Sequence, residues 1–532
     1  MNHESKRQSF GAGIAVLTAS AVIVKLIGVC YKIPLVRLLG VQGMGYFNAA
    51  YDVYALLCMI STTGLPVAVS VLMNKYKGQH KRIFLLSLCL FLIIGMLGCG
   101  LTLIFADNIA EFIGAPQAAP GLRFIAPAVM FICITGAFRG YYQGKHNMTP
   151  TAVSQIIEAG GKLVFGMLFA YIAIRQGSDT SVTSAFAILG LTVGTLLSAV
   201  YLTLNKRHDS AEVQNSKSDN KRILSELISI AFPATLGAVL SGMSRMIDLT
   251  FIMRRLQDAG MTEQQAVSLY GCYSSMVLPL FSAIPALFAS VAMPLVPHLA
   301  HAVAQKDRIA QSNILDATFR MTAAISVPSA LGMGMLSDQI LTLLFHRSDD
   351  VIIATPLLII SCIAIPASCL ITCTGAILQA YGHAWIPMIS TATGCMIKGI
   401  ILYSLAGNSS VGIIAAPIST LCCCILIVFI NVLCIGFIAP AHRFAQPWAF
   451  SVVGASIAVG ASSLVKRTLL SHCNDYITVT LSIAVAVVLY TLFAYKIRLI
   501  RIEDFRPIKE KEEHNGYPTN DQRSAQERNV RL

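Results

Sequence analysis

Charged side chains inside apolar segments are the residues of this sequence that could do chemistry. Eight basic residues lie in stretches hydrophobic enough to be membrane helices, and three acids accompany them. Because a charge in hydrocarbon is costly, such residues usually line a binding cavity or a transport path. Their cationic excess predicts a cavity for an anionic ligand. The bases are Lys25, Lys32, Arg37, Arg139, Lys162, Arg245, Arg320 and Lys398, and the acids are Asp52, Glu158 and Asp248.

The first apolar segment carries two of the four main candidates for binding the anion, Lys25 and Lys32. They are seven residues apart, close to two helical turns, so both project from one face. Pro34 removes a backbone hydrogen bond from the same segment and favours a kink there. Arg37, near the outer end, is a secondary candidate, and the alternative is that it reaches out to lipid headgroups.

Arg245 and Lys398 are the other two main candidates. Arg245 stands three residues before Asp248 on one helical face, so it either contacts a ligand or forms an ion pair with Asp248. Both interpretations stay open from the sequence. Asp52 and Asp248 are secondary candidates, because a deep acid can bind a proton or a cation.

Three further secondary candidates lie in the fourth and fifth apolar segments. Glu158 and Lys162 are four residues apart in the order that favours an ion pair, which we expect them to form. Gly394 occupies the position that matches Glu158 in the second half of the chain, so we expect Lys398 to lack that acidic partner. Arg139 is expected at the cytoplasmic end of its segment, where basic residues are common, although it would also attract an anionic group.

The composition is that of a polytopic membrane protein. Of 532 residues, 55% are hydrophobic and only 12% are charged, and the mean hydropathy is +0.68. A soluble domain has about 25% charged residues, so too little polar surface is left to face water. The net charge of +13 follows from basic residues in cytoplasmic loops, and we expect no nucleic-acid partner. The 15 cysteines show no CxxC pair and predict no metal or redox site.

Apolar stretches long enough to cross a bilayer, which takes about 20 residues, recur along almost the whole chain. The predicted fold class is therefore all-α, with fourteen transmembrane helices. Their approximate bounds are 13–38, 46–73, 83–106, 122–143, 152–174, 183–205, 224–252, 268–296, 314–337, 351–379, 385–406, 411–437, 447–466 and 476–497.

Basic residues in the connecting segments set the predicted orientation. They cluster before the first helix, after helices two and six, and at the start of the C-terminal tail. The positive-inside rule then places both termini in the cytoplasm. We expect an N-terminal lobe, a cytoplasmic linker, a C-terminal lobe, two more helices and a disordered tail, over 1–205, 206–222, 223–437, 438–500 and 501–532.

The two groups of six helices look like a parallel internal repeat. Helix four ends near Gln143 and helix ten near Gln379, and each glutamine stands nineteen residues before a lysine, Lys162 or Lys398. Such repeats are typical of transporters. Neither a P-loop, a nucleophile elbow nor an HExxH motif occurs in the sequence, so no ATP hydrolysis or other enzyme activity is predicted.

Three stretches resemble one family of exporters. Residues 25–70 resemble the opening of the stage V sporulation protein B group of polysaccharide exporters, and residues 139–158 and 269–280 resemble two later signatures of that group. They read KLIGVCYKIPLVRLLGVQGMGYFNAAYDVYALLCMISTTGLPVAVS, RGYYQGKHNMTPTAVSQIIE and LYGCYSSMVLPL. The match covers roughly residues 8 to 500. The group belongs to the multidrug, oligosaccharidyl-lipid and polysaccharide exporter superfamily, which includes the bacterial lipid II flippases.

The resemblance implies two six-helix lobes around a central cavity that opens to each side in turn, and two further helices beside a hydrophobic groove for a polyprenyl tail. The implied substrate is a saccharide linked to a polyprenyl pyrophosphate, moved from the inner to the outer leaflet of a bacterial plasma membrane. Lys25, Arg245 and Lys398 would supply its counter-charges. This chain departs from proteobacterial lipid II flippases, which carry more arginine on helix one and an Asp-Arg pair on helix eight.

Two other functions are alternatives to a flippase. A cation-coupled multidrug exporter of the same superfamily needs buried acids for Na⁺, H⁺ and cationic drugs, and the first helix has none. A membrane scaffold that recruits envelope-synthesis or spore-cortex enzymes would keep its function after the deep cations were neutralised. No cofactor is expected, and the membrane potential and a Na⁺ or H⁺ gradient both remain as driving forces.

Overall fold

The computed structural model of this chain has only helical regular structure in the residues that it describes. Those residues are 10–76, 78–207, 220–292, 295–346, 348–408, 410–440, 445–469, 475–497 and 499. Most of the predicted linker over 206–222 and the whole tail over 501–532 lie outside them. The division into lobes, linker and tail therefore stays a prediction.

Eighteen α-helices follow one another along the described chain, with two π-helices among them. The π-helices are π1 (Ile60–Gly64) and π2 (Tyr273–Val277). The α-helices are α1 Phe10–Met59, α2 Leu65–Lys75, α3 His80–Ile104, α4 Ala106–Ile113, α5 Ala119–Gly144, α6 Thr149–Arg175, α7 Thr180–Arg207, α8 Asn220–Asp258, α9 Glu263–Cys272, α10 Leu278–Ala292, α11 Leu295–Ala304, α12 Arg308–Met335, α13 Ser337–Phe345, α14 Asp349–Ala380, α15 Trp385–Ala406, α16 Ala415–Ile438, α17 Ala445–Leu469 and α18 Asp475–Lys496.

The predicted spans all fall on these helices, which confirms an all-α multi-pass membrane protein. Eleven helices of the described chain are long and apolar enough to cross a membrane, or twelve if one pair of adjoining helices is counted as a single span. That total takes α1 as one helix, although it covers the first predicted span and part of the second, which continues through π1 and α2. The number fourteen stays a prediction.

The kink in α1 lies at Gly40. Its φ of 67° and ψ of 176° fall in a region that residues with a Cβ hardly ever occupy. Pro34, where the sequence predicted the kink, lies within helical backbone instead. Gly40 thus divides α1 into a first half, which carries Lys25 and Lys32, and a second half, which carries Asp52.

Contacts divide the chain into two compact units. One unit comprises 1–283, 337–364 and 385–431, and the other comprises 284–336, 365–384 and 432–532. In the first, apolar side chains of α2, α3 and α5 pack with the beginning of α8 to form a core. In the second, small residues of α17 pack against α12 and α18. Apart from Arg320, every charged residue singled out above lies in the first unit.

Candidate functional site

Arg139 and Glu158 form a buried ion pair within the first unit. Arg139 on α5 donates from Nη2 to Glu158 Oε2 on α6 at 2.8 Å, and from Nε to Ser154 Oγ at 3.0 Å. Only 8% of Arg139 is exposed. It is therefore not a loop-end base, and the predicted ion pair between Glu158 and Lys162 is wrong. The hydrogen-bonded charges cancel inside the protein, which is the condition for burying them.

Lys398 and Asp248 form a second and deeper ion pair. Lys398 Nζ on α15 lies 2.7 Å from Asp248 Oδ2 on α8, and the two side chains are 2% and 4% exposed. The same ammonium donates to Ser244 Oγ at 2.9 Å and to the Ser244 carbonyl at 3.3 Å. Lys398 thus has an acidic partner after all, supplied by a neighbouring helix. The alternative that paired Asp248 with Arg245 is also wrong.

Arg37 and Lys25 lie on exposed faces of the first half of α1. Arg37 donates from Nη2 and Nε to the Leu344 carbonyl at 2.6 and 3.2 Å. That carbonyl belongs to the last turn of α13, where helical donors are missing, so Arg37 caps a helix rather than reaching for headgroups. Lys25 stays a predicted ligand-binding residue.

Lys162 faces aromatic rings instead of an acid. Its Nζ lies 4.3 Å from the ring centre of Tyr51, 5.2 Å from that of Tyr31 and 5.9 Å from that of Phe47. A ring face attracts a cation within about 6 Å without neutralising it. Among the described residues Lys162 has no hydrogen-bonding or ion-pair partner. Glu158 acts on it only from a distance and is itself paired with Arg139.

Lys32 and Asp52 are each held by the α9–π2 segment. Lys32 Nζ donates to the Ser274 carbonyl of π2 at 3.0 Å. The Tyr270 hydroxyl on α9 donates to Asp52 Oδ2 at 2.5 Å, and both of these side chains are buried. The carbonyl and the hydroxyl are neutral, so neither of them supplies a counter-charge to Lys32 or Asp52.

Arg245 completes a group of three cations without acidic partners, which we call the cationic cluster: Lys32, Lys162 and Arg245. Arg245 is exposed and makes no hydrogen bond or ion pair with any residue that the structure describes. Lys32 lies within electrostatic range of both other cations and of Asp52. Glu158 acts on Lys162 and Asp248 on Arg245, but Arg139 and Lys398 already pair those acids. The formal balance is therefore three positive charges against that of Asp52. Lys32 and Lys162 are partly exposed, so an anion can reach the cluster.

The two lysines at matching repeat positions have opposite surroundings. Lys162 stands on aromatic rings, whereas Lys398 is neutralised by Asp248. Sequence spacing treated the pair as equivalent and favoured Lys398 for the ligand, because Gly394 replaces Glu158. The structure instead leaves Lys162 as the cation without a counter-charge.

Several polar and aromatic residues around the cluster escaped the sequence analysis, which searched for charges. Buried Asn48 donates from Nδ2 to Ser274 Oγ at 2.9 Å and to Ser275 Oγ at 2.6 Å. Tyr51 supports Lys162, and Tyr270 supports Asp52. The sequence did carry a signal for the two π-helices: each is followed by Leu-Pro, in ISTTGLP and in YSSMVLP.

The second half of α1 and α9 touch backbone to backbone. A Cβ on Gly45 would collide with the Val267 carbonyl, and one on Gly271 would collide with the Val41 carbonyl. Only glycine permits this approach. The close packing places Asn48 within hydrogen-bonding distance of π2. No group of three metal-binding side chains occurs in the part of the chain that the structure covers.

A multi-pass bundle that holds uncompensated charges among apolar helices is built like a membrane transporter. The chain belongs to the family described as polysaccharide biosynthesis protein, which matches residues 10–303. It is similar to stage V sporulation protein B of Bacillus subtilis (strain 168), with 23% identity over 94% of this chain and 98% of that protein. It is also similar to the lipid II flippase MurJ of the same organism, with 25% identity over 73% of this chain and 75% of that protein.

Solved structures show the same fold. A lipid II flippase MurJ in an inward closed conformation has a TM-score of 0.72 and 15% identity, over 92% of this chain and 100% of that chain. An inward-facing multidrug resistance MATE family transporter has a TM-score of 0.64 and 15% identity, over 80% of this chain and 98% of that chain. At these identities the likeness concerns the fold alone.

Proposed function

We propose that this chain is a flippase that moves a saccharide linked to a polyprenyl pyrophosphate from the inner to the outer leaflet of a bacterial plasma membrane. The observation that carries the proposal is the cationic cluster, in which Lys32, Lys162 and Arg245 lie near Asp52, while the other two deep acids are already paired with Arg139 and Lys398. A pyrophosphate supplies the negative charge and the acceptor oxygens that such a cluster binds. The sequence relatives named for sporulation and for lipid II transport support this substrate class.

The three cations would share the headgroup in different ways. Arg245 offers a planar set of donors suited to two phosphate oxygens at once, whereas Lys32 and Lys162 act as point charges. Lys25, exposed on the first half of α1, is the fourth residue that we propose for the headgroup. Lys398 is proposed as a structural residue, since Asp248 already neutralises it.

The surrounding assignments follow from this role. Both termini are proposed to be cytoplasmic, with two six-helix lobes, a linker over 206–222 and two further helices beside the lipid tail. The partners are the bilayer, the lipid-linked saccharide and enzymes of envelope synthesis that make or use it. A membrane scaffold remains the second candidate outside transport, but it leaves an accessible cationic cluster without a use.

The membrane potential is the driving force that we propose. All three deep acids have protein partners: Lys398 holds Asp248, Arg139 holds Glu158 and Tyr270 holds Asp52. Cations neutralise two of these acids, and only Asp52 is held by a neutral group. Few acids are therefore left for a coupling Na⁺ or H⁺, which makes a cation-coupled multidrug exporter the weaker candidate. A potential that is negative inside drives an anionic headgroup outward, by about 2.3 kcal/mol per charge per 100 mV.

Collapsing the potential is expected to stop net transport. In vesicles that carry the purified protein and a lipid-linked pyrophosphate, a K⁺ ionophore that sets the potential to zero should abolish outward accumulation. Replacing Na⁺ with choline at constant potential should have little effect. Transport that survives without a potential but stops without Na⁺ would contradict this driving force.

The flippase proposal is tested in bacteria depleted of their own lipid II flippase. We expect this chain to restore the lipid II exposed on the outer leaflet, and a Lys32→Gln and Lys162→Gln double variant present at equal level in the membrane to fail. Restored exposure that survives the substitutions would exclude Lys32 and Lys162 from the headgroup site. No exposure with the native chain in the membrane would reject lipid II as the substrate.

A further inference from the structure

The π2 segment leaves one backbone carbonyl without a helical donor. The N–H of Leu278 donates to the Tyr273 carbonyl, five residues earlier. In that register the Ser274 carbonyl would accept from residue 279, which is Pro279 and has no N–H. A carbonyl left unpaired away from water is costly. Lys32 Nζ takes its place as the donor, at 3.0 Å.

The matching π-helix in the first half of the chain, π1, has no such bond to a lysine among the described residues. There Pro66 follows π1 at the same spacing, and the Ser61 carbonyl occupies the equivalent position. That carbonyl faces α5, where a Cβ on Gly136 would meet it at 2.5 Å. The equivalent carbonyl therefore packs against a helix in the first repeat, whereas in the second it accepts a hydrogen bond from Lys32, a cation of the cluster.

Both halves of α1 are tied to π2. The second half is tied by Asn48, which donates to Ser274 Oγ and Ser275 Oγ, and by the glycine contacts with α9. The first half is tied by Lys32, which donates to the Ser274 carbonyl. The two halves meet at Gly40, where the backbone is not helical. Releasing Lys32 would therefore remove this tie between the first half and π2 while the second half stays attached to π2.

We propose that the Ser274 carbonyl, made available by Pro279, holds Lys32 as a latch that an anionic headgroup opens. This rests on the proposed function for the identity of the anion. An ammonium bonds more strongly to a phosphate oxygen than to a neutral carbonyl, so a headgroup that reaches the cluster draws Lys32 away from π2. Substrate binding then loosens the first half of α1 from π2. Ser274 and Pro279 are positioning residues, since they act through Lys32.

Hydrogen–deuterium exchange of the purified full chain tests the latch in two arms. Without ligand, Pro279→Ala supplies the missing N–H and Lys32→Met removes the donor, so both should speed exchange in the first half of α1 roughly tenfold or more. This segment is far in sequence from Pro279, so a locally firmer π2 cannot mimic the effect. Pro66→Ala is the matched control and should leave the segment unchanged.

The ligand arm uses farnesyl diphosphate, with farnesol as the uncharged control. Farnesyl diphosphate should speed exchange of the first half of α1 in the native chain and add nothing in Lys32→Met. Unchanged exchange of the first half of α1 in Pro279→Ala and Lys32→Met overturns the latch. Measured binding without any change in the first half of α1 overturns the release step. Absence of binding overturns the anion site and, with it, the release step. The ligand-free arm then still decides whether the bond between Lys32 and the Ser274 carbonyl holds the first half of α1.

Discussion

Replacing Arg245 with alanine is expected to slow outward movement of a lipid-linked pyrophosphate roughly ten- to hundredfold. The side chain is exposed and has no hydrogen-bonding or ion-pair partner in the described structure, so its donors are free for the ligand. A hydrogen bond to a charged group contributes about 1.5–3 kcal/mol, and the substitution also removes one of the three cluster charges. The measurement is the initial rate at which the labelled lipid appears in the opposite leaflet of vesicles.

Two further variants separate charge from geometry at Arg245. Lysine at this position keeps the charge and loses the planar donor set, so we expect Arg245→Lys to recover part of the rate. Arg222→Ala is the matched control, because Arg222 lies on the same helix, is 70% exposed and pairs with Glu226 at the surface. It should transport like the native chain. An Arg245→Ala protein as fast as that control would exclude Arg245 from the headgroup site.

Replacing Asp248 with asparagine is expected to destabilise the protein by about 3–5 kcal/mol, because it leaves the Lys398 ammonium buried without a counter-charge. The two side chains are only 2% and 4% exposed, so water cannot take the place of the carboxylate. The loss is measured as a lower apparent melting temperature of the detergent-purified protein. Asp258→Asn on the same helix is the matched control, since its pair with Arg255 leaves Asp258 59% exposed and contributes about 0–1 kcal/mol.

Removing both charges together should restore much of that stability. A double variant, Asp248→Asn with Lys398→Met, no longer buries an unpaired charge, so it should melt well above Asp248→Asn alone. Its transport rate tests the structural role of Lys398, because a folded double variant that still transports shows that no substrate contact was lost. Equal melting temperatures for Asp248→Asn and Asp258→Asn would contradict the buried pair.

The charged pairs show where sequence reasoning stops. Spacing on one helix predicted that Glu158 pairs with Lys162, but such a contact contributes only about 0.2–0.5 kcal/mol. In the folded chain α5 brings Arg139 to Glu158, with Ser154 as a second acceptor. Burying a charge requires full hydrogen bonding, and the partner on the neighbouring helix meets that requirement.

Lys398 was predicted to lack an acidic partner, and a neighbouring helix supplies one. Gly394 one turn away correctly indicated that the repeat position of Glu158 holds no acid. It did not indicate that α8 would bring Asp248 and Ser244 to the ammonium. The prediction failed because it considered only residues on the same helix. A buried ammonium can pair with groups on any helix packed around it.

The order of amino acids already settles the parts of this protein that depend on local chemistry. Long apolar stretches must form helices in a bilayer, and the charges within them must serve a purpose. A proline placed after ISTTG and YSSMV removes one backbone donor in each repeat. Folding alone decides which charges cancel and which stay available, because that depends on neighbours far apart in the chain. Lys162 meets rings, Lys398 meets a carboxylate and Lys32 meets the carbonyl that Pro279 leaves without a donor.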